Sequence, residues 1–249
     1  MKAQRKLIQL LQSNRSEAPK ALRVENQSDA ATIYLYGVID KDWGVSAEAL
    51  AKELDALRGV AVTLRINSPG GDVFDGRAMY AAIRQHGNVT AQIDGLAASA
   101  ATYVAMAAKS INMVDGGFMM IHNAWTLAFG NKNDFIEIAD LLDKFDQSIV
   151  SDYIKKTGKS AGEIAAMMDA ETWMSAKEAL DMGFIDTIFD GDVAQEPAGA
   201  LSNSWDLSAF DNAPRALTET ANKDNQAELW AKQRAMAERR MRILDASRN

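Results

Sequence analysis

The chain has 249 residues, 47% of them hydrophobic, which is enough to bury a full core in one large domain with extensions. It contains no cysteine, so disulfides, thiolate metal sites and a cysteine nucleophile are excluded. The net charge of −7 is uneven: residues 1–27 carry +4 and residues 223–249 carry +3 on a middle of −14. That pattern suits self-assembly, protein contacts or two solvated ends, rather than a basic face for nucleic acid.

Residues 1–28 read as an N-terminal basic extension. The stretch Lys2 to Leu11 is basic and then apolar, but Gln9 and Gln12 interrupt any signal-peptide core, so the chain reads as unexported. The apolar run Ala97 to Ala108 is broken by Ser99 and Thr102 and is too short for a bilayer, so no membrane association is expected.

One folded body is predicted over residues 29–191. Ile33 to Val38, Val60 to Ile66, Val89 to Ile93 and Ile111 to Val114 are apolar or β-branched runs of strand length. Ser46 is placed to cap a helix with Leu50, Leu54 and Leu57 on one face, ending at Gly59, and a second helix runs from about Val73 to Gln85 and stops at His86-Gly87. After Gly130 a long helix is predicted from about Asp134 to Lys156. It carries Phe135, Ile138, Leu142, Phe145, Ile149 and Tyr153 on one stripe and is stopped by Gly158. The capping boxes Ser160 with Glu163 and Ser175 with Glu178 open two short helices, the second ending at Gly183. Strands alternating with helices over this length argue for an α/β fold.

Residues 192–223 mix Gly, Ala, Ser, Asn, Asp and Pro with little periodicity and read as a linker or extended arm. In residues 224–249, Leu229, Met236 and Ile243 recur every seven residues beside Trp230, Ala237 and Leu244, the pattern of an amphipathic helix.

Two glycine-bearing segments stand out, INSPGG at Ile66 to Gly71 and GLAASAA at Gly95 to Ala101. Each follows a strand and opens a helix. Paired glycines leave backbone N–H groups unshielded, although a lone SPGG is equally a tight turn. The phosphate-loop and dinucleotide glycine spacings are absent, so no nucleotide site is marked and no cofactor or metal is expected. In the second segment a turn is predicted at Asp94-Gly95-Leu96, and Ser99 then sits where a helix begins, as an N-cap, a small packing residue or a nucleophile. A hydroxyl nucleophile needs an imidazole base, and the chain has two histidines. His86 lies at a helix end, where capping is the usual role. His122 follows the strand-like Phe118 to Ile121 and is the better base. Asp169 and Glu171, in DAETWMS, are both available to orient it.

INSPGG, GLAASAA, MIH and ETWMSAKEALDMGFIDTI, in that order and at these separations, resemble the Clp protease proteolytic subunit family over about Thr32 to Ile188. The variants SPGGDVFDG and MIHNAW, with ETWM, look most like its tailed-phage branch of head maturation proteases. The resemblance implies a spiral of repeated β-β-α units, shared with crotonases, with a protruding handle helix and here a C-terminal extension. It implies Ser99 as nucleophile, His122 as general base and the N–H groups of Gly71 and Ala100 as oxyanion hole. The family's acid is an aspartate where this chain has Glu171, so Asp169 stays as the alternative. Asn123-Ala124 replaces the usual Gln-Pro after the histidine. The implied partners are the chain itself, in a homo-oligomeric ring or stacked heptamers, and scaffold or capsid proteins as substrates in the host cytoplasm or assembling prohead. Whether an unfoldase is needed is left open. Two rivals remain: a crotonase-type acyl-CoA enzyme, and a non-catalytic assembly or scaffold protein on the same fold.

Overall fold

In the computed structural model, residues 10, 12–15, 22–27, 29–126, 128–189, 205–215 and 217–218 are described. Their strands are β1 (Arg23–Gln27), β2 (Ala30–Tyr36), β3 (Ala61–Ser68), β4 (Val89–Ala98), β5 (Ser110–Val114), β6 (Phe118–Ile121), β7 (Thr172–Ser175) and β8 (Thr187–Phe189). Their helices are α1 (Ala47–Ala56), α2 (Val73–His86), α3 (Ala100–Ala105), α4 (Lys132–Thr157), α5 (Ala161–Asp169) and α6 (Ala176–Asp181). Strands β2, β3, β4, β5 and β8 lie side by side in parallel, with β1 antiparallel at the edge. This is the mixed α/β architecture expected, built on a mainly parallel sheet.

Strand β4 is the pivot. Its first part, Thr90 to Ile93, pairs with β5, while Leu96 to Ala98 pair in parallel with Phe118 to Met120 of β6, which in turn pairs antiparallel with β7. The turn predicted at Asp94-Gly95-Leu96 is therefore strand, and TWMS, given no strand by its pattern, is β7. The local pattern hides the strand because its period of two breaks off. From Val89 to Asp94 buried residues alternate with half-buried ones, but Gly95 to Ala98 are buried on both faces, so the alternation vanishes.

Those two faces meet different layers. Ala97 and Met119 join the main core of Ile33, Leu35, Leu64, Ile66 and Ile93, whereas Leu96, Ala98 and Met120 join a second cluster with Leu10, Leu207, Ala209 and Phe210. Residues 205–215, 217 and 218 thus depart from the arm expected over 192–223: they fold back on the sheet. Trp205, Leu207 and Phe210 cover an apolar face that water would otherwise meet, and each fully buried large side chain contributes about 1.5–3 kcal/mol. The N-terminal extension contributes too, since Leu10 is in this layer, Asn14 is hydrogen-bonded to Asp206, and β1 extends the sheet. The amphipathic helix predicted over 224–249 lies outside the described residues.

Capping set the helix starts as expected, although α1 ends at Ala56 with Leu57 as its cap, short of the Gly59 stop. Ser46 accepts from the Ala49 N–H, and Asp72 accepts from the Asp75 N–H at the start of α2, which ends at left-handed Gly87. Helix α4 starts two residues earlier than its apolar stripe implied, because Asn131 and Asp134 form a capping box, and it stops at left-handed Gly158. Its second half is anchored by the buried Asp152, which accepts hydrogen bonds from Arg77 and Tyr80 of α2, Tyr103 of α3 and Lys155. Its first half leaves Phe135, Ile136 and Leu141 exposed. No helix among the described residues is long and apolar enough to cross a membrane.

Candidate active site

The end of β4 delivers Ser99 into an unusual conformation, φ 55° and ψ −122°, at the N-cap of α3. Ser99 and Glu171 are the non-glycine residues with positive φ among those described, a costly state that proteins hold mainly where function uses it. The serine side chain makes no capping bond, so the ordinary N-cap role does not apply. Its N–H instead donates to the Met120 carbonyl, 3.0 Å away, tying the end of β4 to β6. Its Oγ lies 2.7 Å from His122 Nε2. With the Nδ1–H tautomer of the ring, Ser99 Oγ–H donates to Nε2, the arrangement in which the imidazole can take the hydroxyl proton.

The glycine loop closes over this pair. A Cβ on Gly70 would stand 2.5 Å from the Ala98 carbonyl oxygen and 3.0 Å from the Ala100 nitrogen, and one on Gly71 would stand 2.1 Å from the Ile39 oxygen. Only residues without a side chain allow so close an approach. Two backbone bonds, Ile39 N–H to Gly70 O and Asp72 N–H to Ile39 O, each 2.8 Å, pin the loop. The Gly71 N–H is left outside this ladder, and the Ala100 N–H, in the first turn of α3, has no helical acceptor. Gly71, Ser99, Ala100 and His122 together border a cavity of about 30 Å³. Beside it lies a second cavity of about 190 Å³, sharing Gly71, Val73 and Trp125, with apolar walls from Phe74, Leu142 and Phe145.

His122 is half-buried, with the rings of Trp125 and Phe210 edge-on to its imidazole at 5.3 and 5.6 Å between centroids. Burial draws its pKa down from 6.5 to about 4, and the charge of Glu171 only partly opposes this. Above that value the ring is the neutral base a serine requires; below it the proton blocks that role. Labelling of Ser99 by a fluorophosphonate is therefore expected to hold level down to roughly pH 5 and to decline only near pH 4. An acid limb centred at 6.5 would contradict this environment.

Neither proposed acid is hydrogen-bonded to His122. Asp169 accepts from the Asn123 side chain at 2.7 Å. Glu171 accepts from Trp173 Nε1 at 3.2 Å and from the backbone N–H groups of Asp211 and Asn212 at 3.0 and 2.7 Å. The serine, histidine and glycine loop meet in space, and Asp169 and Glu171 are both engaged elsewhere. Sequence reasoning missed Phe210, Asp211 and Asn212 because their segment lacks periodicity; an aromatic residue among Asp, Asn and Pro was the one available signal. The other histidine, His86, donates from Nε2 to the Leu57 carbonyl at 2.9 Å, far from this chemistry in role. Among the described residues no group of three or more His, Cys, Asp or Glu is arranged to hold a metal ion.

The Clp protease family model matches residues 20–192. The chain is 28% identical over 190 residues to the ATP-dependent Clp protease proteolytic subunit 1 of Protochlamydia amoebophila, covering 71% of this chain and 90% of the relative. It is 29% identical over 160 residues to the corresponding subunit of Bacteroides fragilis, covering 63% and 77%. To proteolytic subunit 1 of Chlamydia abortus it is 33% identical over 135 residues, 52% of this chain and 70% of the relative.

Proposed function

The chain belongs to the Clp protease family, a peptidase family, and on that premise we propose that it is a serine endopeptidase working through Ser99 and His122. The observation that carries this reading is the 2.7 Å contact between Ser99 Oγ and His122 Nε2 beside the glycine loop. Ser99 Oγ attacks the peptide carbonyl carbon while its proton passes to His122 Nε2. The carbonyl oxygen, now anionic, is held by the N–H groups of Gly71 and Ala100. The intermediate collapses with cleavage of the C–N bond, and the amine leaves with the proton from His122. Water, deprotonated by the same imidazole, then hydrolyses the ester and restores the serine. Glu171, or Asp169, orients the imidazole when it can reach it. The apolar cavity beside Ser99 favours a large apolar side chain next to the scissile bond.

The exposed apolar half of α4 supports self-association, since Phe135, Ile136 and Leu141 on a free monomer would be costly. We read the working form as a homo-oligomeric ring of this chain. The motifs SPGGDVFDG, MIHNAW and ETWM support a phage head maturation protease, with scaffold and capsid proteins as substrates in the host cytoplasm or prohead. The body is residues 29–191, with extensions on both sides.

Incubation with a fluorophosphonate followed by peptide mapping is expected to place the adduct on Ser99, and light scattering to give a multiple of the monomer mass. An adduct elsewhere, or none, would overturn the serine assignment. Co-expressed scaffold and capsid proteins that stay uncleaved would remove the maturation role alone.

A further inference from the structure

We infer that residues 205–214 form an intramolecular latch that holds the peptidase in a low-activity state by keeping Glu171 away from His122. This rests on the serine-peptidase reading of Ser99 and His122.

Three observations converge on it. First, the segment holds the carboxylate of Glu171: each of its oxygens accepts a backbone N–H group, from Asp211 at 3.0 Å and Asn212 at 2.7 Å, and the Asn212 side chain donates to the Ala170 carbonyl at 2.9 Å. A carboxylate gripped in this way gives up charge-assisted bonds before it can turn to an imidazole. Second, Phe210 is buried as a wedge among aromatic rings. It stacks on Trp125 at 5.9 Å and meets His122 and Trp173 edge-on at 5.6 and 5.7 Å. The ring thus lies against the imidazole and against Trp173, whose Nε1 donates to the same Glu171. Third, the indole N–H of Trp125 is buried with no hydrogen-bond partner. An orphaned donor costs about 1–3 kcal/mol, and it sits where the wedge meets the active-site cavity.

The segment is not a plug over the serine. The cavity at Ser99 is bordered by Trp125 and His122 and by none of the residues 205–214, so the segment acts on the base and its acid while the nucleophile stays reachable. Trp205 Nε1, donating to Asn67 at 3.2 Å, and Asn14, bonded to Asp206, hold the other end of the latch on the body. An imidazole without its orienting carboxylate still accepts a proton but loses most of its catalytic power.

The test uses the full-length chain with Phe210→Ala, which removes the wedge, and Asn212→Pro, which removes one N–H from Glu171. The rate of fluorophosphonate labelling at Ser99, and of hydrolysis of a fluorogenic peptide, is expected to rise roughly tenfold or more in each variant. Adding Glu171→Gln to Phe210→Ala is expected to cancel the gain, which mere loosening of the site would not do. A variant with an unchanged circular dichroism spectrum that labels no faster than the parent overturns the latch and leaves the peptidase standing. If neither the parent nor any variant shows labelling that depends on Ser99, the peptidase reading falls and the latch falls with it.

Discussion

Ser99→Ala is expected to lower the turnover of a peptide substrate by a factor on the order of 10⁴ to 10⁶ and to abolish fluorophosphonate labelling, with the melting temperature nearly unchanged. The size follows from the absence of a substitute. Thr102, the next hydroxyl along the sequence, is committed to the carbonyls of Ala97 and Met120 at 2.6 and 2.8 Å, and Ser68 is fully buried. The indifference of stability follows from what the serine does not do. Its side chain caps nothing, and the bond that anchors the strand end is made by its backbone N–H to Met120, which alanine retains. A variant that keeps more than about a hundredth of the parent rate would place the nucleophile elsewhere. A variant that unfolds would instead show Ser99 to be a structural residue.

Asp94→Ala is expected to destabilise the fold by about 3–5 kcal/mol, read by urea denaturation. Asp94 and Arg65 have side chains only 2% and 7% exposed, and they form a fork in which Arg65 Nε and Nη2 each donate across 2.8 Å. Tyr36 Oη–H also donates to Asp94, at 2.6 Å, as does the Gln92 amide at 3.1 Å. The pair therefore ties β2, β3 and β4 together just before β4 turns towards Ser99. Removing the carboxylate strands a guanidinium that cannot shed its proton, and the cost is chiefly that uncompensated charge rather than the lost attraction. The double variant Arg65→Met with Asp94→Leu is accordingly expected to be less destabilised than Asp94→Ala. A loss under about 1 kcal/mol for the single change would show that water reaches the site.

Much of this was legible in the chain because it is written in local chemistry. The caps Ser46, Ser160 and Ser175, the stops Gly87 and Gly158, and the alternation of strand and helix patterns depend on neighbours three or four residues away. The motifs around Ser99 and His122 stand out only through their resemblance to the Clp protease family, since their local pattern fits a cap or a turn equally well. β4 was cut short in the sequence reading because its second half is apolar on both faces. Strand β7 was missed because four residues carry too little pattern. The packing of residues 205–215 is invisible in their pattern because a covering layer needs only scattered aromatics, at Trp205 and Phe210, with no period to betray it.

The sequence by itself determined the α/β class and most of the helices and strands, since these follow from short-range capping and periodicity, while Ser99 and His122 were singled out by the resemblance of their motifs to the Clp protease family. Only the tertiary structure decided that Ser99 and His122 touch, that Glu171 faces Asp211 and Asn212 instead of the imidazole, and that Phe210 lies against His122. Those pairings join residues 23 to 88 positions apart, and their energies exist only once β4, β6 and the returning C-terminal segment are packed on one another.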